Sequence, residues 1–115
     1  MKILIVDDSQ QMRRVIKRLL RRAGSETREC ADGAYALASY AEWLPDWVLM
    51  DLKMERLDGL TATREIVDAF PEAKVLIVTS YDAPELREAA RLAGARGYVV
   101  KDELLKLREL LSKQP

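Results

Sequence analysis

Three short apolar runs punctuate the chain: Ile3 to Val6, Trp47 to Met50 and Val75 to Val78. None alternates with polar residues and each is rich in β-branched or large side chains, so all three predict strands covered on both faces. Met12, Val15, Ile16, Leu19, Leu20 and Ala23 instead recur at the spacing of a single helical stripe. Two weaker strands are predicted at Ser25 to Cys30, which is mostly polar and so suited to a sheet edge, and at Gly97 to Val100. Stop and start signals fit this pattern. Ser9, Asp32 and Asp58 stand as helix N-caps, Gly24 and Gly94 as terminators, and Pro71 lies just beyond a helix ending near Phe70. Asp82 and Glu85 frame Pro84 as a capping box. The last helix is expected from Glu103 to Leu111, with Ser112 to Pro115 as a tail.

Five rounds of strand then helix result. They predict an α/β fold, an open parallel sheet with helices on both faces, occupying residues 1–115 as one domain. Length and composition agree, since 115 residues with 49% hydrophobic side chains suffice for one core and not for two.

Charge and rare residues narrow the function. Nineteen basic and nineteen acidic residues cancel, leaving no global field to draw the chain onto a membrane or nucleic acid. Cys30 is the only cysteine and there is no histidine, which excludes an internal disulfide and a cysteine-built zinc site and removes the commonest general base. The opening apolar run meets Asp7 and Asp8 too soon for a signal peptide or a membrane span, so a cytoplasmic location is expected.

In open α/β sheets ligands bind beyond the carboxyl ends of the strands, where the topology reverses. Those ends carry Asp7-Asp8, Asp51, Thr79-Ser80 and Lys101. Each alone has a bland reading: a helix terminus for Asp7 or Asp8, a turn for Asp51, a solvated charge for Lys101. Together they do not, because carboxylates 4 Å apart repel by roughly 4 kcal/mol per pair at an effective dielectric near 20. A cation would offset that cost. Oxygen-only ligation suits Mg²⁺, with Mn²⁺ able to serve in its place. Beside such an ion Asp51 could receive a phosphoryl group, with Lys101 supplying positive charge and Thr79 a hydroxyl donor.

The residues resemble the response-regulator receiver domain of two-component signalling over essentially the whole chain. The resemblance rests on Val6-Asp7-Asp8-Ser9, on Asp51-Leu52-Lys53-Met54 with Leu57-Asp58-Gly59, on Thr79-Ser80, and on Gly94 to Lys101. It implies a flavodoxin-like doubly wound five-stranded sheet, order 2-1-3-4-5, with five helices. It implies phosphorylation of Asp51 by a histidine kinase, phosphotransfer protein or small phosphodonor. Mg²⁺ would be bound by Asp8, Asp51 and the backbone carbonyl of Lys53, with Asp7 acting through metal-bound water. Thr79 and Lys101 would bind the phosphoryl oxygens. Tyr98 would be the switch aromatic, turning inward as Thr79 moves, and Lys53 and Tyr81 would tune the phospho-aspartate lifetime.

Two positions depart from the family's commonest pattern. Asp102 stands where many receivers have proline after the lysine, and a cis peptide without proline costs roughly 3 kcal/mol. Glu55 replaces a proline frequent in the loop after the acceptor. The segment Gly94 to Asp102 is most similar to the NarL/LuxR-type receivers, which implies an output domain, such as a helix-turn-helix unit, that this chain does not carry. A partner protein or a homodimer are the other outlets. No membrane contact, and no direct nucleic acid contact by this domain, is expected.

Other features have simpler readings. Arg13, Arg14, Lys17, Arg18, Arg21 and Arg22, with no acid between Ser9 and Gly24, offer a dock for an acidic partner, but a solvated face snorkelling over the core accounts for them better. Tyr98 has edge-strand packing as its plain alternative, Lys53 and Tyr81 that of solvent-facing loop residues. Trp43, Trp47 and Cys30 read as packing. Rival functions are a magnesium-dependent phosphatase with an aspartyl nucleophile, whose usual aspartates stand at alternate positions, and a flavin or nucleotide module, which Asp7-Asp8 would repel. A third is an interaction module that keeps the pocket without phosphorylation.

Overall fold

The computed structural model describes residues 1–54 and 57–113. Glu55 lies outside the described residues, as do Gln114 and Pro115. Five strands, β1 (Lys2–Val6), β2 (Glu26–Cys30), β3 (Trp47–Met50), β4 (Val75–Thr79) and β5 (Gly97–Val100), pair in parallel in the order β2-β1-β3-β4-β5. They alternate with α1 (Gln10–Arg22), α2 (Ala36–Trp43), α3 (Gly59–Ala69), α4 (Pro84–Ala93) and α5 (Leu107–Lys113). This is the flavodoxin-like topology expected from the sequence.

The continuous apolar strands split their side chains between two cores, because successive residues point to opposite faces. Ile3, Ile5, Leu49 and Val78 pack under Ile16 and Leu20 of α1 and Leu107 and Leu111 of α5. Leu4, Val6, Met50 and Ile77 pack on the other side against Tyr40 of α2, Ala62 and Ile66 of α3, and Ala90 of α4. Each such side chain contributes about 1.5–3 kcal/mol on burial. The polar β2 and the four-residue β5 are the edges.

Helix starts follow the expected caps with one exception. Ser9 accepts from the Met12 N–H and Asp58 from Thr61, while Asp32 accepts from Ala34 at the head of a 3-10 turn, Gly33–Tyr35, that leads into α2. The Asp82–Glu85 capping box does not form. Pro84 occupies the first helical positions, which makes Ala83 the cap residue, and Asp82, one step too early, pairs instead with Arg87 at 3.0 Å. Gly94 ends α4 at φ 106°, a left-handed conformation that L side chains avoid.

The fifth crossover also differs from expectation. Rather than one helix from Glu103 to Leu111, the chain turns straight from β5 into a 3-10 segment, Lys101–Lys106, with Glu103 off helical geometry at φ −115° and ψ 30°. The α-helix proper begins at Leu107 and runs through Lys113, so Ser112 and Lys113 belong to α5 and not to a tail. The described peptide bonds, that between Lys101 and Asp102 included, are trans. Among the described residues no helix is long and apolar enough to cross a membrane.

Candidate functional site

The strand order reverses between β1 and β3, and the Asp51 N–H bonds the Val6 carbonyl at 2.9 Å, so the ends of these two strands lie side by side. Asp7 and Asp51 are each one residue beyond their strand, buried at 2% and 6% exposure. Asp8, next along the chain, is exposed. One carboxylate oxygen from each of Asp7, Asp8 and Asp51 lies within 4.8 Å of the others. The sequence-predicted acids therefore do converge.

Lys101 reaches this cluster from the end of β5. Its ammonium lies 2.9 Å from Asp7 Oδ2 and 3.4 Å from Asp51 Oδ2. The remaining oxygens are held locally: the Ser9 N–H donates to Asp7 Oδ1 at 2.8 Å and the Leu52 N–H to Asp51 Oδ1 at 2.9 Å. Burial pushes the Asp51 carboxyl above the ordinary carboxylate range, and the charge on Asp7 adds to the effect. Lys101 and the Leu52 N–H pull it back.

Two negative groups and one ammonium thus share a buried edge, with a third carboxylate at its mouth. One lysine does not neutralise three acids. An all-oxygen donor set that opens to solvent through Asp8 fits a small hard cation such as Mg²⁺, which favours carboxylates and retained waters. It does not fit a soft metal, since Cys30 is buried and donates to the Asp32 carbonyl at 3.1 Å.

Thr79 closes β4 fully buried, and its hydroxyl accepts from the Tyr81 N–H at 3.4 Å. Ser80 is exposed. Tyr98 is half-buried, and its phenol donates to the Tyr81 carbonyl at 2.6 Å while the Arg87 guanidinium lies 4.7 Å from its ring centroid. Tyr81 is therefore bonded through its backbone to both Thr79 and Tyr98. Lys53 and Tyr81, expected either to tune the phospho-aspartate lifetime or to be plain solvent-facing loop residues, meet: the ammonium is 5.4 Å from the Tyr81 ring. Both are exposed. Trp43 and Trp47 are buried packing residues, as expected, although Trp47 Nε1 finds no partner among the described residues.

Two residues that the sequence placed only in a motif or on a basic face, with no role at the site, contribute to it. Gly59 opens α3 so close to the acceptor that a Cβ there would sit 1.9 Å from the Asp51 carbonyl oxygen. Arg13, read only as part of a basic face, turns inward and donates to the Asp7 carbonyl at 2.6 Å. The one hint was its place beside Met12 and Ile16 on the buried side of α1.

The response regulator receiver domain family matches residues 3–113. The chain is similar to the chemotaxis protein CheY of Bacillus subtilis, 38% identical over 101 residues that span 87% of this chain and 84% of that protein. It is similar in structure to a LuxR-family two-component response regulator from Aurantimonas, with a TM-score of 0.88 and 35% identity over 98% of this chain and 86% of that one. A third likeness is to CheY in the CheX-CheY-BeF3-Mg complex from Borrelia burgdorferi, with a TM-score of 0.90 and 26% identity over 96% and 87% of the two chains. The family match takes in the ends of β1, β3, β4 and β5, which carry Asp7 and Asp8, Asp51, Thr79 and Lys101, and the chain belongs to the response regulator receiver domains of two-component signalling.

Proposed function

We propose that residues 1–115 act as a phosphorylation-controlled switch in which Asp51 accepts a phosphoryl group. The observation that carries this reading is the three-carboxylate cluster bridged by Lys101 at 2.9 and 3.4 Å. A buried Asp51 with a raised carboxyl value sits beside an ammonium 3.4 Å from its Oδ2.

Asp8, Asp51 and the backbone carbonyl of Lys53 would hold Mg²⁺ or Mn²⁺, with Asp7 acting through water. The bound ion supplies positive charge that favours the ionised acids and offsets charge on the phosphoryl oxygens. An Asp51 oxygen attacks phosphorus in line and forms the acyl-phosphate bond. The bond from phosphorus to the donor's imidazole nitrogen or carboxylate oxygen breaks, and the donor leaves with the electron pair. Lys101, released from Asp51 Oδ2, meets a phosphoryl oxygen, and Thr79 offers its hydroxyl to another. Lys53 and Tyr81, whose ammonium and ring lie 5.4 Å apart, set how readily water enters to hydrolyse the product.

Because Tyr81 is bonded to both Thr79 and Tyr98, movement of Thr79 toward phosphate shifts the Ser80 to Ala83 loop and, through it, the Tyr98 ring. The surface of α4, β5 and the segment after Lys101 then changes for an output domain or partner protein. This requires two states of similar energy, between which phosphate biases the population. The donor is a histidine kinase, a phosphotransfer protein or a small phosphodonor, the setting is cytoplasmic, and the role is regulatory rather than enzymatic. The complex of the Borrelia burgdorferi CheY with CheX, BeF3 and Mg supports both the ion and a partner-protein outlet.

Incubation with acetyl phosphate and Mg²⁺ followed by intact-mass measurement tests the reading. A phosphoryl mass increment in the wild type and none in Asp51→Asn is expected. No increment in either protein would favour an interaction module that works without phosphorylation, and turnover of added phosphomonoesters would favour a phosphatase.

A further inference from the structure

Asp8 is the exposed member of the carboxylate cluster, and among the described residues no hydrogen bond or ion pair reaches its side chain. Its placement is therefore set by the backbone that carries it, the peptide joining Asp7 to Asp8. The carbonyl of that peptide lies past the end of β1, where strand pairing stops. It accepts from Arg13 Nη1 at 2.6 Å. The same guanidinium donates through Nε to Glu29 Oε1 of β2 at 3.0 Å, and its side chain is only 13% exposed. One planar fork thus ties the end of β1 to α1 and to β2.

Asp7 itself is fixed at its other polar atoms. Its N–H bonds the Cys30 carbonyl at 3.0 Å, Oδ1 accepts from Ser9 and Oδ2 meets Lys101. Arg13 completes the set by pinning the plane from which Asp8 projects.

We propose that Arg13 is a positioning residue for Asp8, holding the Asp7–Asp8 peptide so that the exposed carboxylate faces the cation shared with Asp51. The proposal rests on reading the cluster as a divalent-cation site. It is separable from a charge effect by sign. A guanidinium near a site for Mg²⁺ repels the ion, so loss of its charge alone would tighten Mg²⁺ binding. Loss of positioning does the opposite. Lysine keeps the charge but, as a compact ammonium, does not reproduce the fork that bonds Glu29 and Asp7 together.

Calorimetric titration of the full chain with MgCl2, in wild type, Arg13→Gln and Arg13→Lys, decides the matter, with urea unfolding as a check that each protein is folded. Both variants should bind Mg²⁺ about tenfold more weakly than wild type, the scale on which outer-shell partners of metal ligands act. Unchanged or tighter binding by Arg13→Gln would overturn the proposal, as would full wild-type affinity in Arg13→Lys. Should Arg13→Gln fail to fold, the charge-conserving variant decides by itself. Absence of Mg²⁺ binding by the wild type would sink the cation-site reading, and the proposal with it.

Discussion

As the proposed phosphoacceptor Asp51 must be buried and charged at once, and the two demands conflict. Burial and the neighbouring Asp7 both raise its carboxyl, which Lys101 offsets only in part. With the folded value above the unfolded one, the folded chain binds this proton more tightly. The associated stability is present below the unfolded value, about pH 4, and is lost as pH rises through the folded value. At neutral pH, without divalent cations, the wild type therefore carries a cost that Asp51→Asn removes. Asp51→Asn should be more stable in EDTA by about 1 kcal/mol, or about 4 °C in Tm. The gap between the two proteins should shrink as pH is lowered toward 4. Urea melts of both across that range check this, and a variant less stable than wild type at pH 7 would mean that Lys101 outweighs burial and Asp7. Asp7, Asp51, Thr79 and Lys101 were legible in the sequence because strand ends can be counted from apolar runs. Gly59 and Arg13 were not, since one depends on a close approach of two backbones and the other on which side of α1 an arginine faces.

At the level of elements, apolar runs located β1, β3 and β4 because strands covered on both faces show no polar alternation to confuse them, while the polar β2 and the short β5 were read as weaker strands and fall at the edges. The misreadings fell where two local rules compete. Pro84 fixes where α4 starts, so Asp82 lies too early to cap it and bonds Arg87 instead. After β5, Leu104 and Leu107 are three residues apart, a spacing that serves a 3-10 turn as well as an α-helix, and Lys101 must turn back sharply to reach Asp7 and Asp51. On α1, Arg13 and Lys17 pair with Glu29, whereas Arg14, Arg18 and Arg22 are exposed and have no ion pair among the described residues. These three are four residues apart on one face, and like charges at that spacing cost about 0.2–0.5 kcal/mol per pair. Arg18→Glu replaces two repulsions with two attractions. It should stabilise the fold by about 0.8–2 kcal/mol, seen as a higher urea midpoint at low salt that converges on wild type at high salt. A lower midpoint at low salt would show that the arginines already have partners that the isolated face does not reveal.

For the molecule as a whole, the site sits at the seam between the two cores, because β1 and β3 contribute to both and meet where the topology reverses. An ion held there by residues at the ends of β1 and β3 is bound only when these ends are assembled, so it stabilises the folded chain and not the unfolded one. Mass action gives the size: at a Mg²⁺ concentration ten times its dissociation constant the gain is about 1.4 kcal/mol. For a domain of this length that raises Tm by about 5 °C. Since the ion is proposed to bridge Asp8 and Asp51, the rise should nearly vanish in Asp8→Asn, although Asp8 is exposed and its removal alone should alter metal-free stability little. Thermal melts of both proteins, with and without MgCl2 and at matched ionic strength in NaCl, separate this from general screening. An equal rise in the two proteins, or one that NaCl reproduces, would assign the effect to the nineteen acids spread over the chain and not to the cluster at its switch point.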